Sequence, residues 1–395
     1  MSAQKGIGRL IQVGIAKEST RGTAQSSASF WNPWSDLTLD EKKDFVTDDQ
    51  SYGIVEDNTN LTQTKKWAQG SLAGNVADQT IGLILYSLFG SHSVSGSGPY
   101  THTFSIAENA QHQSLTLFKH DPLTAVDYSY ANGVVEKLEL SIALKKFVSF
   151  TASLLSQSGV SQSTFTPSTT TENRFVPQYL AAKFALDYAG LQGTKTITGT
   201  TDGSTGAITA VSDTSKLKVG MTVSGTGIAS GSVIVSVDSS TQFTINKNTT
   251  ASGSGVTLTL GPVSIALKSA KITINQNVES QDVLGSLSPV DFLNKEFSVE
   301  GTLEAILQNE SDFKTQFMGP TPVSMRLDLV NTDAIAGGST HPELYIDLPK
   351  VTLQEYGTPY KVKDLVYQNL KFKASYSIPD TLLAKMVLIN SVTTY

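Results

Sequence analysis

The chain has 395 residues, of which 39% are hydrophobic and 16% are charged, and it contains no cysteine. This length predicts two or three domains, and the lack of thiols excludes disulfide bridges, thiolate metal sites and cysteine nucleophiles. The net charge is −6 and the lysines and arginines are scattered, which excludes the basic face that a protein needs to grip duplex nucleic acid.

The remaining composition favours strands over helices. Serine, threonine and glycine are abundant; threonine suits a pleated sheet, and glycine and serine suit turns. The longest apolar run, residues 81–89, is less than half the length of a membrane-spanning helix. We therefore predict a mainly β, β-rich α+β fold.

The N-terminal segment lacks the charged and then apolar layout of a signal peptide. We therefore expect a protein that is made and assembled in a cytoplasm. Trp31 and Trp34 cluster in this otherwise polar region. They indicate either an arm that anchors on a neighbouring subunit or packing onto their own domain. Trp67, by contrast, alternates along a predicted strand and is expected in the core.

The first half of the chain predicts strands around one helix. A strand that contains Gly70 leads into the apolar stretch 81–89, which ends at Gly90 as a left-handed helix C-cap requires. Upstream, residues 37–66 predict two strands joined by a long polar loop, here called the first excursion. Further strands are predicted at residues 114–118, 135–140 and 146–153.

The second half repeats this order. A strand that contains Gly301 precedes a predicted helix at residues 311–318, which closes at Gly319 with the same left-handed C-cap. Residues 270–296 again predict two strands joined by a long polar loop, here called the second excursion. The three later strands of the first half have counterparts at residues 324–328, 349–354 and 370–376. A duplicated unit explains so many matches in order. Chance similarity between two β-rich stretches is the alternative.

These patterns divide the chain into four parts. Short alternating strands between Gly and Ser turns, with Phe243 as the sole aromatic residue, predict a small β-sandwich inserted into a host loop. The predicted parts are a first unit with an N-terminal arm (1–156), a Ser/Thr-rich linker (157–174), a second unit (175–193 and 262–395) and the insert (194–261).

A search for metal ligands centres on the histidines. His92, His102, His112 and His120 lie close together in sequence, and His341 lies apart. Their spacings of ten, ten and eight residues match no zinc pattern. We interpret them as ordinary loop and strand-end histidines and predict no metal site.

Catalytic motifs are also missing. The carboxylate pairs Asp48–Asp49 and Glu56–Asp57, and the single Asp282, are candidates for glycosidase chemistry, but most fall in the polar excursions, where exposed carboxylates are usual. Gly6-Ile-Gly8 matches the start of the glycine-rich dinucleotide-binding motif, but the third glycine is missing. The sequence also contains no phosphate-binding loop motif and no nucleophile-elbow motif. We predict no catalytic residue, no cofactor and no enzymatic activity.

Several stretches resemble one family when they are read as an ordered set. They are Gly14-Ile-Ala-Lys-Glu-Ser-Thr-Arg-Gly-Thr-Ala24 followed by Trp34, Lys65-Lys-Trp-Ala-Gln-Gly-Ser-Leu-Ala-Gly, Asp78 to Gly90, and Tyr100-Thr-His-Thr-Phe104. This set, mainly within residues 10–155, resembles the tail tube proteins of bacteriophages with long, non-contractile tails of the siphovirus type. The insert is similar to the Ig-like domains of phage structural proteins through Leu217-Lys-Val-Gly-Met-Thr-Val-Ser-Gly-Thr-Gly-Ile228.

The resemblance implies that each unit gives four strands to a continuous barrel flanked by outer strands and a helix. Six units give about 24 strands and a backbone diameter of about 50 Å, at ~4.8 Å spacing and ~45° tilt; this bore passes duplex DNA. A two-unit chain then forms a trimeric ring with pseudo-sixfold symmetry, and a hexamer is the alternative. Rings that stack head-to-tail form an open tube.

The same resemblance implies the partners and the location. We expect self-association, contacts with a tape measure protein and with terminator and tip proteins, DNA that passes without specific binding, no membrane, and a place in the tail of the virion. The excursions 47–65 and 277–294 are candidate stacking hairpins. The mildly acidic balance suits a channel that repels DNA weakly.

Two other functions remain open. The first is the tube of a contractile tail or related injection device, although an outward insert would obstruct a close-fitting sheath. The second is a non-enzymatic surface adhesin with an Ig-like module, which would normally carry an export signal or fibre repeats.

Overall fold

The polypeptide folds almost entirely into strands. The computed structural model describes residues 7–57, 60–123, 126–162, 164–306, 310–319, 321–360, 362 and 365–395. Strands dominate these ranges, so the mainly β fold predicted from the sequence is confirmed. Residues 1–6, the start of the predicted arm, lie outside the described residues. None of the helices in these ranges is long and apolar enough to cross a membrane.

The elements are numbered along the chain. The first half contains β1 (Gln12–Lys17), β2 (Phe30–Asn32), β3 (Asp36–Thr47), β4 (Leu61–Asn75), α1 (Ile81–Phe89), β5 (Gly90–Ser95), β6 (Tyr100–Ile106), β7 (Leu115–His120), β8 (Asp127–Ala143), β9 (Ser149–Ser156) and β10 (Val160–Gln162). The second half contains β11 (Leu180–Ala185), α2 (Tyr188–Leu191), β12 (Lys195–Asp202), β13 (Ala207–Ile208), β14 (Thr222–Gly225), β15 (Ser232–Ser239), β16 (Gln242–Ile245), β17 (Ser252–Leu260), β18 (Val263–Ile265), β19 (Leu267–Asn275), β20 (Val278–Gln281), β21 (Asp291–Asn294), β22 (Ser298–Ile306), α3 (Glu310–Met318), β23 (Val323–Val330), β24 (Glu343–Gly357), β25 (Tyr367–Ala374) and β26 (Lys385–Asn390).

One antiparallel sheet, here called the inner sheet, runs through both halves of the chain. Its strand order is β3-β4-β9-β8-β19-β22-β25-β24. The first four strands come from the first half and the last four from the second half. The halves meet where β8 pairs with β19, from Lys137 opposite Asn275 to Ala143 opposite Ser269.

Outer strands pack over one face of the inner sheet. In the first half their order is β2-β1-β7-β8-β10. In the second half it is β18-β11-β23-β24-β26, and β26 continues into β6 and β5 of the first half. The long strands β8 and β24 belong to both layers, since their N-terminal parts pair with outer strands and their C-terminal parts with inner strands.

A continuous hydrophobic core fills the space between the layers. Alternate residues of the inner strands point into it, for example Leu72, Leu154, Ile272 and Phe372, as the period of two in a strand requires. Because both halves contribute to one cluster, the chain buries a larger core than either half could supply alone.

Helix α1 lies inside this core. Its sequence, Ile-Gly-Leu-Ile-Leu-Tyr-Ser-Leu-Phe, is apolar on all sides, and nearly every residue is buried, as expected for a helix that is surrounded by protein. Each large apolar side chain buried here contributes about 1.5–3 kcal/mol. The helix ends at Gly90, which has φ 80° in the left-handed region, so the predicted C-cap is confirmed.

The counterpart helix α3 ends differently from the prediction. It spans Glu310–Met318 and Gly319 follows it, but Gly319 does not adopt a left-handed backbone conformation. Its amide donates to the carbonyl of Thr315 at 2.9 Å, so the chain leaves the helix without the reversal that a left-handed cap makes. The predicted left-handed C-cap at Gly319 is therefore wrong.

Strands β12 to β17 form a separate sheet in the order β12-β17-β14-β15-β16-β13. Two backbone hydrogen bonds between Thr200 and Thr209, at 2.7 and 3.1 Å, connect β13 back to β12, so the strands close into a ring. A core of its own, which includes Ile234, Phe243 and Leu258, fills the ring. The Ig-like character of this insert and the boundaries 194–261 stay predictions.

Candidate assembly surface

No layer formed by the described residues packs over most of the second face of the inner sheet, here called the open face. The side chains that alternate with the core residues point to it, and most are polar. They include Thr38, Asp40, Lys42, Ser71, Lys137, Glu139, Lys271, Glu300, Thr302, Lys371 and Glu355.

Several charges on the open face are paired with charges of opposite sign. Glu139 forms ion pairs with Lys137 and Lys271, both at 2.9 Å. Hydrogen bonds from these two lysines hold the pKa of the Glu139 carboxyl below its usual range. Glu355 pairs with Lys371 at 3.2 Å on the neighbouring strand. Because lysines are matched by carboxylates, this face offers no concentrated positive charge to hold phosphate groups.

Both edges of the inner sheet are unpaired within the described part of the chain. Strand β3 pairs with β4 on one side only. The C-terminal part of β24, residues 352–357, pairs with β25 on one side only. Long unpaired edges expose rows of backbone donors and acceptors, which template pairing with another chain.

The excursion between β3 and β4 carries exposed hydrophobic residues beyond the edge. Tyr52 is 58% exposed, Ile54 is 55% exposed, and Val55 is fully exposed. The described part of the chain leaves these side chains uncovered, and clusters of this kind mark interaction sites. The predicted role of residues 47–65 as a stacking hairpin remains a prediction.

The second excursion docks on the first half of its own chain. It contains the β20–β21 hairpin, and Lys65 binds Asp282 at 2.7 Å near its tip. The amide of Lys66 donates to the carbonyl of Leu287 at 2.7 Å. Its tip remains exposed, at Val283, Leu284 and Leu287, and Val290 is exposed as well. The base of the predicted stacking hairpin 277–294 is therefore committed to a contact within the subunit.

A buried ion pair holds the base of this hairpin. Arg21 donates from Nε to Asp291 Oδ1 at 2.6 Å and from Nη2 to the carbonyl of Phe292 at 2.6 Å. Its Nη1 donates to the carbonyl of His112. Burial by itself raises the pKa of Asp291, but hydrogen bonds from Arg21, the Phe292 amide and Gln111 outweigh it, so the pKa lies below its usual range.

The Lys17-Glu-Ser-Thr-Arg21 motif acts as a structural junction. Glu18 is buried, and its carboxylate accepts hydrogen bonds from the amides of Gly22 and Asn132, both at 2.8 Å, and from the hydroxyl of Ser114 at 2.7 Å. Lys17 donates to the backbone oxygen of Tyr395 at 2.7 Å. A buried carboxylate needs such donors to offset its desolvation, so the motif organises the fold around α1 and the outer strands.

The tryptophans have separate surroundings. Trp31 is buried against Phe118 and Phe165 in its own chain, which agrees with the intramolecular interpretation. Trp34 is partly buried, and its Nε1 donates to the carbonyl of Ile11 at 2.9 Å. Trp67 packs with Leu155 in a small satellite cluster beneath the β20–β21 hairpin. Trp67 thus packs against a core cluster, as expected, but this cluster lies on the opposite face of β4 from the main core.

The histidines lie among hydrogen-bonding partners rather than together in one site. His92 contacts His102 at 3.0 Å, and burial lowers the pKa of His92 to about 4. His112 bonds to the carbonyl of Leu88 at 2.9 Å, and His341 Nδ1 lies 2.5 Å from the carbonyl of Ala334. His120 pairs with Asp127 at 2.8 Å. Within the described ranges, no three His, Asp or Glu side chains are grouped as a metal would require.

The carboxylates considered for catalysis also lie apart from any enclosed site. Asp48, Asp49, Glu56 and Asp57 belong to the largely exposed first excursion. Asp282 is engaged with Lys65. Gly8 starts a short 3-10 turn, Gly8–Leu10, rather than a phosphate-binding loop before a long helix. That these residues have no catalytic, cofactor or metal role stays a prediction.

Sequence reasoning missed two features of this surface, which are the edge of β24 and the ion pair between Arg21 and Asp291. The edge residues of β24 and the partner of Arg21, Asp291, carry no local signal, because their roles depend on strands that are far apart in sequence. Arg21 itself belongs to the Gly14–Ala24 stretch that carries the family resemblance, and a charged residue there requires an acidic partner, which is the signal that points to Asp291.

An inner sheet with a polar open face and two unpaired edges is characteristic of a β-rich assembly subunit. The family model described as phage tail tube protein matches residues 8–374. The match covers nearly the whole chain, so the chain belongs to the phage tail tube protein family. It is a structural component of the bacteriophage tail. No curated protein matches the chain.

Proposed function

We propose that this chain closes into rings through its inner sheet, and that the rings stack into a hollow tail tube that conducts the DNA genome. The single observation that carries the proposal is the inner sheet, which is unpaired at both edges and polar on its open face. A sheet of this kind satisfies its edges by joining identical sheets until a barrel closes.

The number of strands favours three subunits in a ring. Three inner sheets supply about 24 strands, which at ~4.8 Å spacing and ~45° tilt form a barrel about 50 Å across at the backbone. Side chains narrow this bore by roughly 10 Å, which leaves room for duplex DNA. The repeated strand order of the two halves supports a duplicated unit, and hence a trimer with pseudo-sixfold symmetry rather than a hexamer.

The open face suits a channel lining. Its paired charges give DNA neither a strong attraction nor a strong repulsion, and tightly held phosphates would stall transit. This balance refines the expectation of a weakly repelling acidic channel, because the lysines on this face offset the carboxylates.

The insert and the partners complete the proposal. The insert leaves the fold between β11 and β18, both of which are outer strands, so it projects away from the open face. An outward projection favours a sheathless, siphovirus-type tail. A tape measure protein and terminator and tip proteins are the further partners, and assembly takes place in the host cytoplasm.

Electron microscopy of the purified protein tests this function. The proposal predicts hollow tubes that carry regular outward bumps. Discrete monomers that bind to cells would instead support an adhesin, and smooth tubes that a sheath could enclose would support a contractile device.

A further inference from the structure

The junction between the two halves of the chain offers a template for the junction between chains. At the internal junction the C-terminal part of β8 pairs with β19 in antiparallel fashion. Lys137 lies opposite Asn275, Leu138 opposite Ile274, and Glu139 opposite Thr273. Just before this stretch, the amide of Gln276 donates to the carbonyl of Glu136 at 3.0 Å.

The unpaired part of β24 repeats the geometry of β8. In β8 a bulge follows the pair Val135–Leu154, so that Lys137 faces Ser153. In β24 a bulge follows the pair Leu353–Phe372, so that Glu355 faces Lys371. All these positions correspond with one offset of 218 residue numbers. A bulge bends the strand that contains it, so β8 and β24 bend at equivalent positions.

The unpaired strand β3 repeats the geometry of β19. Gly70 of β4 lies opposite Leu39, and Gly301 of β22 lies opposite Ile272. A Cβ atom on either glycine would collide with a backbone carbonyl of the partner strand, that of Thr38 or that of Lys271. The two glycines therefore occupy the same close approach, and Leu39 corresponds to Ile272.

The two correspondences define one register. By the offset of 218, Glu355 of β24 corresponds to Lys137 of β8. Because Leu39 of β3 corresponds to Ile272 of β19, Lys42 corresponds to Asn275. We infer that β24 of one subunit pairs antiparallel with β3 of the next, with Glu355 opposite Lys42, Tyr356 opposite Glu41 and Gly357 opposite Asp40. This inference rests on the proposed function and specifies the contact through which its rings close.

Charge and exposure support this register. The Glu355 side chain is 71% exposed and the Lys42 side chain is 46% exposed, and both belong to the open face. Directly opposite residues of an antiparallel pair share a face and lie about 4.5–5.5 Å apart. The register therefore places a carboxylate beside an ammonium group, whereas a shift by one residue would bring the core-side positions of one strand onto the open face of the other.

Cysteine pairs test the register directly, because the natural chain contains no cysteine. A double variant, Lys42→Cys with Glu355→Cys, has thiols close enough for a disulfide only in the inferred register. The matched control is Thr38→Cys with Glu355→Cys, in which the thiols are about four residues, or ~13 Å, apart along the strands. Both variants are assembled under reducing conditions, imaged, oxidised and analysed by denaturing electrophoresis.

The inference predicts that oxidation links most chains of the first variant into dimers and a covalent ring, and that it links at least tenfold fewer chains of the control. If rings form but disulfide-linked chains appear only in the control variant, or in neither variant, the inferred register is wrong. The proposed function is unaffected by that result. If the wild-type chain forms no rings, the proposed function fails and the register fails with it.

A measurement on the wild-type chain covers the case in which the variants do not assemble. Hydrogen exchange is compared between separated subunits and tubes. The register predicts that amides at residues 38–42 and 354–357 gain protection of at least tenfold in the tube. Unchanged exchange at either segment in assembled tubes contradicts it.

Discussion

At the scale of single residues, two glycines set the spacing of the inner sheet. Gly70 and Gly301 stand where any side chain would meet the backbone of the next strand. We predict that Gly70→Ala lowers the free energy of unfolding by about 1–3 kcal/mol, the usual cost of overpacking. Urea unfolding followed by circular dichroism measures this change.

The control for this prediction is Gly8→Ala. Gly8 has no heavy atom within 4 Å of the position that a Cβ would take, so this change is expected to stay within about 0.5–1 kcal/mol of the wild type. Equal unfolding midpoints for the two variants would show that the strands can move apart at Gly70 without cost.

The Arg21–Asp291 pair makes a second prediction at this scale. Asp291→Asn leaves the guanidinium of Arg21 without its carboxylate in a largely buried position, where the side chains of Arg21 and Asp291 are 21% and 9% exposed. We expect a loss of about 3 kcal/mol at pH 7. Glu279→Gln is the matched control, since its ion pair with Lys295 has side chains 62% and 59% exposed and is worth less than about 1 kcal/mol.

The same pair predicts a dependence on pH. The pKa of Asp291 is lower in the folded chain than its ordinary value, which is about 3.9 in the unfolded chain. The stabilisation by the ionised carboxylate is therefore fully present above that value and is lost as the pH falls through the lowered pKa. The difference in unfolding free energy between wild type and Asp291→Asn should shrink between pH 7 and pH 2. A constant difference would exclude this linkage.

At the scale of elements, local patterns predicted the structure well where the cause was local. Helix α1 follows from an apolar run and the glycine after it, and the strands around Gly70 and Gly301 follow from alternation. The end of α3 was predicted wrongly, because a glycine after a helix permits a left-handed cap without requiring one. The docking of β20–β21 was not predictable, since it depends on Arg21 and Asp291, which are 270 residues apart.

The insert provides a prediction at this scale. Strands β12 and β17 pair from Lys195 opposite Leu260, so the two ends of the insert lie close together, and a short linker can replace residues 194–261. The excision keeps Tyr188 and Gln192, which donate hydrogen bonds to the buried Asp347 at 3.0 and 2.8 Å. We expect the shortened chain to form tubes without outward bumps.

Electron micrographs of the shortened chain check this expectation. A variant cut further back, without residues 188–261, also removes the donors to Asp347, which then retains Arg326 as its closest cationic partner. This deeper cut is expected to destabilise the second half. Loss of tubes in the 194–261 excision would show that the insert belongs to the assembly surface.

At the scale of the whole molecule, the strand order links sequence to function. The order β3-β4-β9-β8 in the first half matches β19-β22-β25-β24 in the second half. The sequence predicted the repeat through weak matches in order. The resemblance implies that both units give strands to one barrel, but the sequence could not identify β8 and β19 as the strands that join the halves, because their pairing is decided by the packing of both halves on a common core.

In the ring that we propose, the chain corresponds to a pair of neighbouring units. The internal junction is already paired, and within the described residues the outer edges are unpaired, so that we propose them as the contacts with other subunits. A closed ring leaves no edge exposed, which removes the risk of uncontrolled strand addition that open sheets carry. In the same proposal, the hairpin tips and the exposed surfaces at the two rims make the contacts between stacked rings.

The rotational symmetry of a single ring tests this account most directly. Cryo-electron microscopy of tubes viewed end-on should show three subunits with three inserts around a bore, and about 24 strands in the barrel wall. A wall built from six complete chains, or a subunit whose β3 and β24 edges are not joined to neighbouring chains, would contradict it.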